Sequence, residues 1–311
     1  MEPDLSVRIG FLSMPNPVGV ASGTFGYGQE YGDLVDIPSL GALYTKAVTL
    51  EARTGNPPPR LVETPMGLIN SIGLANPGVD RFILEKLPFL KGLSCPVIIN
   101  VAGSTESDYI ETVERIEDAL GDRASNIGGY EINVSCPNVA HGGMSFGTNP
   151  KVVEGLTKAL RSKTERTLMV KLSPNVTDIA EIARAAEAGG ADAVSCINTL
   201  VGMSIDTENC RPLIARGTGG LSGPAIRPVG VACVWKVSRA VSIPVIGLGG
   251  IAKTEDALEY LLAGASAIQV GTALFSDPQV PTIIIGGIAQ WMRKKGIARI
   301  SDIPKLLLTN F

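Results

Sequence analysis

The chain has 311 residues, with 27 Lys and Arg against 30 Asp and Glu, a net charge of -3, and 45% hydrophobic against 18% charged residues. That is enough apolar material for a sizeable core and too little charge for a disordered chain. Without a Lys/Arg cluster, the charge argues against nucleic acid or an anionic membrane as partner. No apolar run approaches the roughly 18 residues of a membrane span, and the N-terminal MEPDLSVRIGF lacks a leader-like apolar core. A cytoplasmic location is expected. The five cysteines, Cys95, Cys136, Cys196, Cys210 and Cys233, form no C-x-x-C pair, which argues against disulfides, structural zinc or an iron–sulfur cluster held by this chain.

In chain order, short β-rich apolar runs occur at Val18 to Ala21, Ala42 to Val48, Val97 to Val101, Tyr130 to Val134, Leu168 to Leu172, Ala193 to Ile197, Val245 to Leu248 and Ala267 to Val270. Each precedes turn residues and a segment of helical periodicity. Asn149-Pro150 opens a helix reaching Ser162, Thr177 one reaching Ala188, and Thr254 one reaching Leu262. Near-continuous apolar strands alternating with helices predict a parallel sheet buried on both faces. Eight units favour a closed (β/α)8 TIM barrel, with residues 1–311 as one domain. Two intervals, 49–95 and 199–223, are longer than a βα unit needs and read as excursions over the barrel mouth.

In such a barrel the active site lies at the C-terminal strand ends. The residues there are Ser22, Lys46, Asn100, Asn133 with Cys136, Lys171, Asn198 with Thr199, Gly249-Gly250 and Gly271-Thr272. Any one of these alone is an ordinary turn residue. Lys46 and Lys171, however, sit inside apolar runs (LYTKAV, LMVKLS), where a buried charge calls for an anion, and together they suggest an anionic ligand. The loops GLGGIA and VGTAL after the last two strands suit a phosphate, although tight turns alone also use glycine.

Two motif matches fail on context. Gly247 to Ala252 fits G-x-G-x-x-A, but it follows the seventh strand and has no acidic residue at the expected spacing, so this chain is not expected to bind NAD itself. Gly143 to Gly147 fits G-x-S-x-G, but the single histidine, His141, precedes the serine and rules out that triad order.

The segment Asn133-Val-Ser-Cys136-Pro-Asn138, with Asn70-Ser-Ile-Gly-Leu74, Ile197-Asn-Thr199, Gly220 to Pro224 and Gly249-Gly250, resembles the dihydroorotate dehydrogenase family nearly end to end. Within it the chain is similar to class 1, B-type catalytic subunits: it has a cysteine where class 2 enzymes have serine, and it carries the GNPPPR and GGMSFGTNP segments. The resemblance implies an FMN-containing barrel that oxidises (S)-dihydroorotate to orotate in pyrimidine synthesis. Ser22, Lys46, Ala47, Asn100, Asn133, Lys171, Ile197, Gly223, Gly249, Gly250, Gly271 and Thr272 would line the flavin. Lys46, Asn70, Ser71, Ile72, Gly73, Leu74, Asn133, Asn198 and Thr199 would hold the substrate. Cys136 would be the base, with hydride passing to flavin N5. No metal is implied in this chain.

The resemblance also implies a homodimer of this chain joined to an electron-transfer subunit carrying FAD and [2Fe-2S], two copies of each, passing electrons to NAD. A fumarate-linked A-type enzyme, a related dihydropyrimidine oxidoreductase and a Schiff-base lyase using Lys46 or Lys171 are the alternatives. The residue types suit the substrate independently: asparagine both donates and accepts, and lysine offers a point charge to a carboxylate.

Overall fold

The computed structural model describes residues 2–121, 126–135 and 146–308. Eight parallel strands close into a barrel: β1 (Val18–Val20), β2 (Ala42–Tyr44), β3 (Val97–Val101), β4 (Ile127–Asn133), β5 (Thr167–Leu172), β6 (Ala193–Cys196), β7 (Val245–Leu248) and β8 (Ala267–Val270). Each pairs with its neighbours in sequence, and β8 closes on β1 through Ile268 to Val270 against Val18 to Val20. The helices are α1 (Val79–Glu85), α2 (Leu87–Lys91), α3 (Glu106–Leu120), α4 (Pro150–Arg161), α5 (Ile179–Ala188), α6 (Arg227–Val237), α7 (Thr254–Leu262) and α8 (Val280–Lys295). Among the described residues no helix is long and apolar enough to cross a membrane.

Strand alternation divides the core in two. Leu43, Val97, Ile99, Val101, Tyr130, Ile132, Val170, Val194 and Ile268 face outward and pack with the helices in one large apolar belt. Ala42, Tyr44, Ile98, Met169, Ala193, Ile246 and Ala267 face inward as a small separate cluster. An N-terminal hairpin, Val7–Ile9 paired with Leu12–Met14, adds Ile9, Leu12 and Met14 to that cluster and so plugs the barrel floor. On β3, β4, β5, β6 and β8 the next inward positions toward the mouth are polar: Asn100, Glu131, Lys171, Ser195 and Gln269, all buried.

Several predicted boundaries move. The second strand ends at Tyr44 instead of Val48, because the Lys46 N–H turns to donate to the Gly26 carbonyl at 2.7 Å; Val48 rejoins only as a bridge to Val101. The fourth strand begins at Ile127, three residues before the predicted start. Asp178, not Thr177, caps α5 by accepting from the Ala180 N–H at 3.0 Å. Asn149 caps α4 as expected, accepting from Lys151 at 3.0 Å and Val152 at 3.4 Å.

The two long intervals converge. Leu61–Thr64, Gly67–Asn70, Thr218–Ser222 and Leu200–Met203 form one four-stranded antiparallel sheet, in which Gly220 pairs with Asn70. The excursions over the mouth are therefore one structured element built from segments about 150 residues apart.

Candidate active site

Glu131 on β4 organises the polar layer. It is fully buried, and its carboxylate accepts from Asn100 Nδ2 at 2.6 Å, Ser195 Oγ at 2.7 Å and Gln269 Nε2 at 2.8 Å. Lys171 Nζ lies 3.6 Å from its Oε2 and donates to Ser22 Oγ at 3.3 Å. Burial and the adjacent Glu131 charge together hold the Tyr44 phenol far above its ordinary value. The anion that a buried Lys171 required is thus a protein carboxylate on the next strand, which corrects the expectation that Lys171 calls for an anionic ligand.

Glu131, Ser195 and Gln269 lie inside their strands, where the turn chemistry that marks the strand ends does not reveal them. The signal was present: Glu131 and Asn133 share the parity of the inward face, and Asn100 pairs directly with Glu131 across β3 and β4.

Above this layer, Asn133 pairs with Lys171 across β4 and β5. Its side-chain oxygen accepts from Ser135 N at 3.3 Å and Asn198 Nδ2 at 3.4 Å, and Asn198 Oδ1 accepts from Thr199 N at 2.8 Å. Two asparagines and Thr199 are therefore held in one chain of contacts. Lys46 is half-buried; loss of hydration lowers its pKa from the ordinary 10.5, with the nearby Glu30 charge opposing that shift and Arg60 adding to it.

The predicted segment Asn70 to Leu74 leaves the mouth sheet and runs through Gly73 (φ 76) and Leu74 (φ 55). Asn76 anchors it: Nδ2 donates to the Leu74 carbonyl at 2.7 Å and Thr49 Oγ1 at 2.8 Å, and Oδ1 accepts from Gly78 N at 2.9 Å and Thr49 N at 3.2 Å.

Beside the ends of β7 and β8, Gly249 (φ 123), Gly250 (φ 71) and Gly223 (φ 94) adopt backbone conformations that favour glycine. A Cβ on Gly250 would meet the Gly223 carbonyl at 2.7 Å. Gly271 and Thr272 lie next door because β7 pairs with β8, and Thr272 Oγ1 is 2.8 Å from Ser222 Oγ. Among the described residues, the amides of Gly250, Gly271 and Thr272 donate no backbone hydrogen bond. Three uncommitted N–H groups at a glycine-lined rim fit a phosphate. Asn100 Oδ1, buried without a partner among the described residues, is an acceptor that the N–H edge of a flavin ring can satisfy. Ile197 is buried beside the same rim, joined to Cys196 by a cis peptide bond.

Cys136 and His141 lie outside the described residues, as does most of the G-x-S-x-G match. Ser135, which precedes Cys136, donates from Oγ to the Lys171 carbonyl at 3.3 Å. Of the other thiols, burial pushes Cys95 up to about 11 and Cys196 well above its usual range. Cys196 also faces the helix belt, not the barrel interior.

A parallel (β/α)8 barrel with a charged polar layer beneath its C-terminal mouth defines a barrel enzyme. The family model for dihydroorotate dehydrogenase matches residues 4–292. The chain is 52% identical over 303 residues to the dihydroorotate dehydrogenase B (NAD(+)) catalytic subunit of Trichlorobacter lovleyi, covering 97% of this chain and 98% of that one. It is 51% identical over 300 residues to the equivalently named subunit of Bacteroides fragilis, covering 96% and 97%. A crystal structure of the Eimeria tenella dihydroorotate dehydrogenase with ferulenol superposes with a TM-score of 0.77 at 24% identity, over 97% of this chain and 88% of that one, and supports the fold. The chain belongs to the dihydroorotate dehydrogenase family. It is accordingly an oxidoreductase.

Proposed function

We propose that this chain is the catalytic subunit of a B-type enzyme, a single barrel domain in the cytoplasm that oxidises (S)-dihydroorotate to orotate in pyrimidine synthesis with FMN at its mouth. The observation that carries the reading is the convergence on one mouth of the Glu131–Lys171–Asn100 layer and the amide cradle of Gly250, Gly271 and Thr272. Ser22, Asn100, Asn133 and Lys171 would hold the ring and Gly223, Gly249, Gly250, Gly271 and Thr272 the phosphate, with Lys46, Ala47 and Ile197 completing the contact. When bound, FMN supplies the acceptor for the hydride that leaves C6 of the substrate.

The remaining work falls to side chains. Lys46 offers its charge to the substrate carboxylate. Asn70, Asn133 and Asn198 present amides that both donate and accept toward the ring's carbonyl and N–H groups, and the 3.4 Å contact between Asn198 and Asn133 fixes which atom each presents. Ser71, Ile72, Gly73, Leu74 and Thr199 close the pocket around them. Cys136 removes the C5 proton.

The names of the relatives, which specify NAD and a catalytic subunit, support electron delivery to NAD through a partner subunit; that the partner carries FAD and [2Fe-2S] rests on the sequence resemblance. The test is an anaerobic spectrum of the purified protein before and after stoichiometric dihydroorotate, with dihydrouracil alongside. We expect a yellow protein that releases FMN and bleaches with dihydroorotate alone. Retained colour, or FAD released from this chain, overturns the reading.

A further inference from the structure

Asn100 and Lys171 come from different strands, yet both are fixed by Glu131. A carboxylate accepts and never donates, so it selects one orientation of each amide that meets it. Asn100 gives Nδ2 and Gln269 gives Nε2, which leaves Asn100 Oδ1 and Gln269 Oε1 buried and without partners among the described residues. Glu131 also sets the local charge, because it is the anion beside Lys171 in a layer closed to water.

We propose that Glu131 is the positioning residue of the flavin site, fixing which atom Asn100 presents to the ring and offsetting the Lys171 cation so as to set the reduction potential. The proposal rests on the FMN reading above. Glutamine at this position has almost the same shape but turns one acceptor oxygen into an NH2 donor group and carries no charge. It would let the Asn100 amide turn over, exchanging an acceptor for a donor, and would leave Lys171 without its counter-charge. A cation without a counter-charge favours the extra negative charge of a reduced ring. Removing the cation and leaving the anion does the opposite.

The sign of the effect therefore distinguishes this role from a structural one. The bound-flavin potential should rise in Glu131→Gln and fall in Lys171→Met. In the double variant, where both charges are gone, it should return between the two. FMN affinity of the Glu131→Gln apoprotein, measured by flavin titration, should weaken about tenfold, the equivalent of one lost hydrogen bond.

The experiment is spectroelectrochemical titration of the wild type and three variants, with thermal melting of each apoprotein as a folding control. An unchanged potential in folded, FMN-loaded Glu131→Gln overturns the proposal, as does a shift of the same sign in all three variants. If Glu131→Gln does not fold, Glu131→Asp carries the test. It keeps the charge and retracts the hydrogen bonds, so FMN affinity should fall while the potential stays near that of the wild type; unchanged affinity overturns the proposal. A wild-type chain that binds no FMN would instead remove the underlying reading, so the two failures are distinct.

Discussion

Lys46 shows how a single side chain couples pH to binding. Its lowered pKa means that the charge is lost on the alkaline side sooner than at the ordinary 10.5. If that charge holds the dihydroorotate carboxylate, KM is flat below the lowered pKa and climbs as pH rises through it. In Lys46→Met, KM is high throughout and the limb is absent. Stability moves the other way: with the folded pKa below the unfolded one, the burial penalty is full below the folded value and is relieved as pH rises from there toward 10.5. Denaturation of wild type and Lys46→Met across that range checks the sign. Cys136→Ala should keep its FMN and lose about two to four orders of magnitude in the rate of flavin reduction by dihydroorotate, the usual contribution of a general base. Stopped-flow reduction of the loaded variant decides it, and a near-normal rate rejects Cys136 as base. Most of the mouth residues were legible in the sequence because strand ends announce themselves by turn chemistry. Glu131 was not, because a mid-strand acidic residue shows its side only when the inward parity of its strand is followed.

The eight barrel strands could be read from apolar runs because parallel strands buried on both faces have no polar alternation to obscure them. The four-stranded sheet over the mouth could not. Its strands lie in Gly- and Pro-rich intervals, and their pairing joins Asn70 to Gly220, a partnership that no local pattern encodes. The same holds for Asn76, whose side chain ties Thr49, Leu74 and Gly78 together. Asn76→Ala leaves the Leu74 carbonyl and two backbone N–H groups without these partners. It should cost about 2–4 kcal/mol in denaturant unfolding, given roughly 1–3 kcal/mol for each buried group left unsatisfied and partial rescue by water. Since the segment it releases is the proposed substrate loop, KM for dihydroorotate should rise while FMN content stays near that of wild type. Loss of FMN with unchanged KM would move Asn76's influence to the glycine-lined rim.

On the scale of the whole molecule, the path the electrons take decides the type of enzyme. The five cysteines are scattered through the sequence without cluster spacing, and the G-x-G-x-x-A match caps a late barrel strand instead of opening a dinucleotide fold. A chain of this kind needs an external acceptor once its flavin is reduced. Relatives about half identical over nearly the full length carry names that specify both NAD and a catalytic subunit, which points to a second chain as the conduit. We expect this chain, copurified from its native cells, to bring down an FAD and [2Fe-2S] protein in equal amounts, in an assembly with two copies of each. NAD reduction by dihydroorotate should require that partner, and the isolated barrel should retain dihydroorotate-driven bleaching. Side-by-side assays with NAD and fumarate, with and without the partner, separate the cases. Vigorous fumarate-linked turnover by this chain alone, with no copurifying iron–sulfur protein, would assign it to the A type. The barrel, the Glu131 layer and the role proposed for Cys136 would stand unchanged, because they concern the half-reaction before the electrons leave.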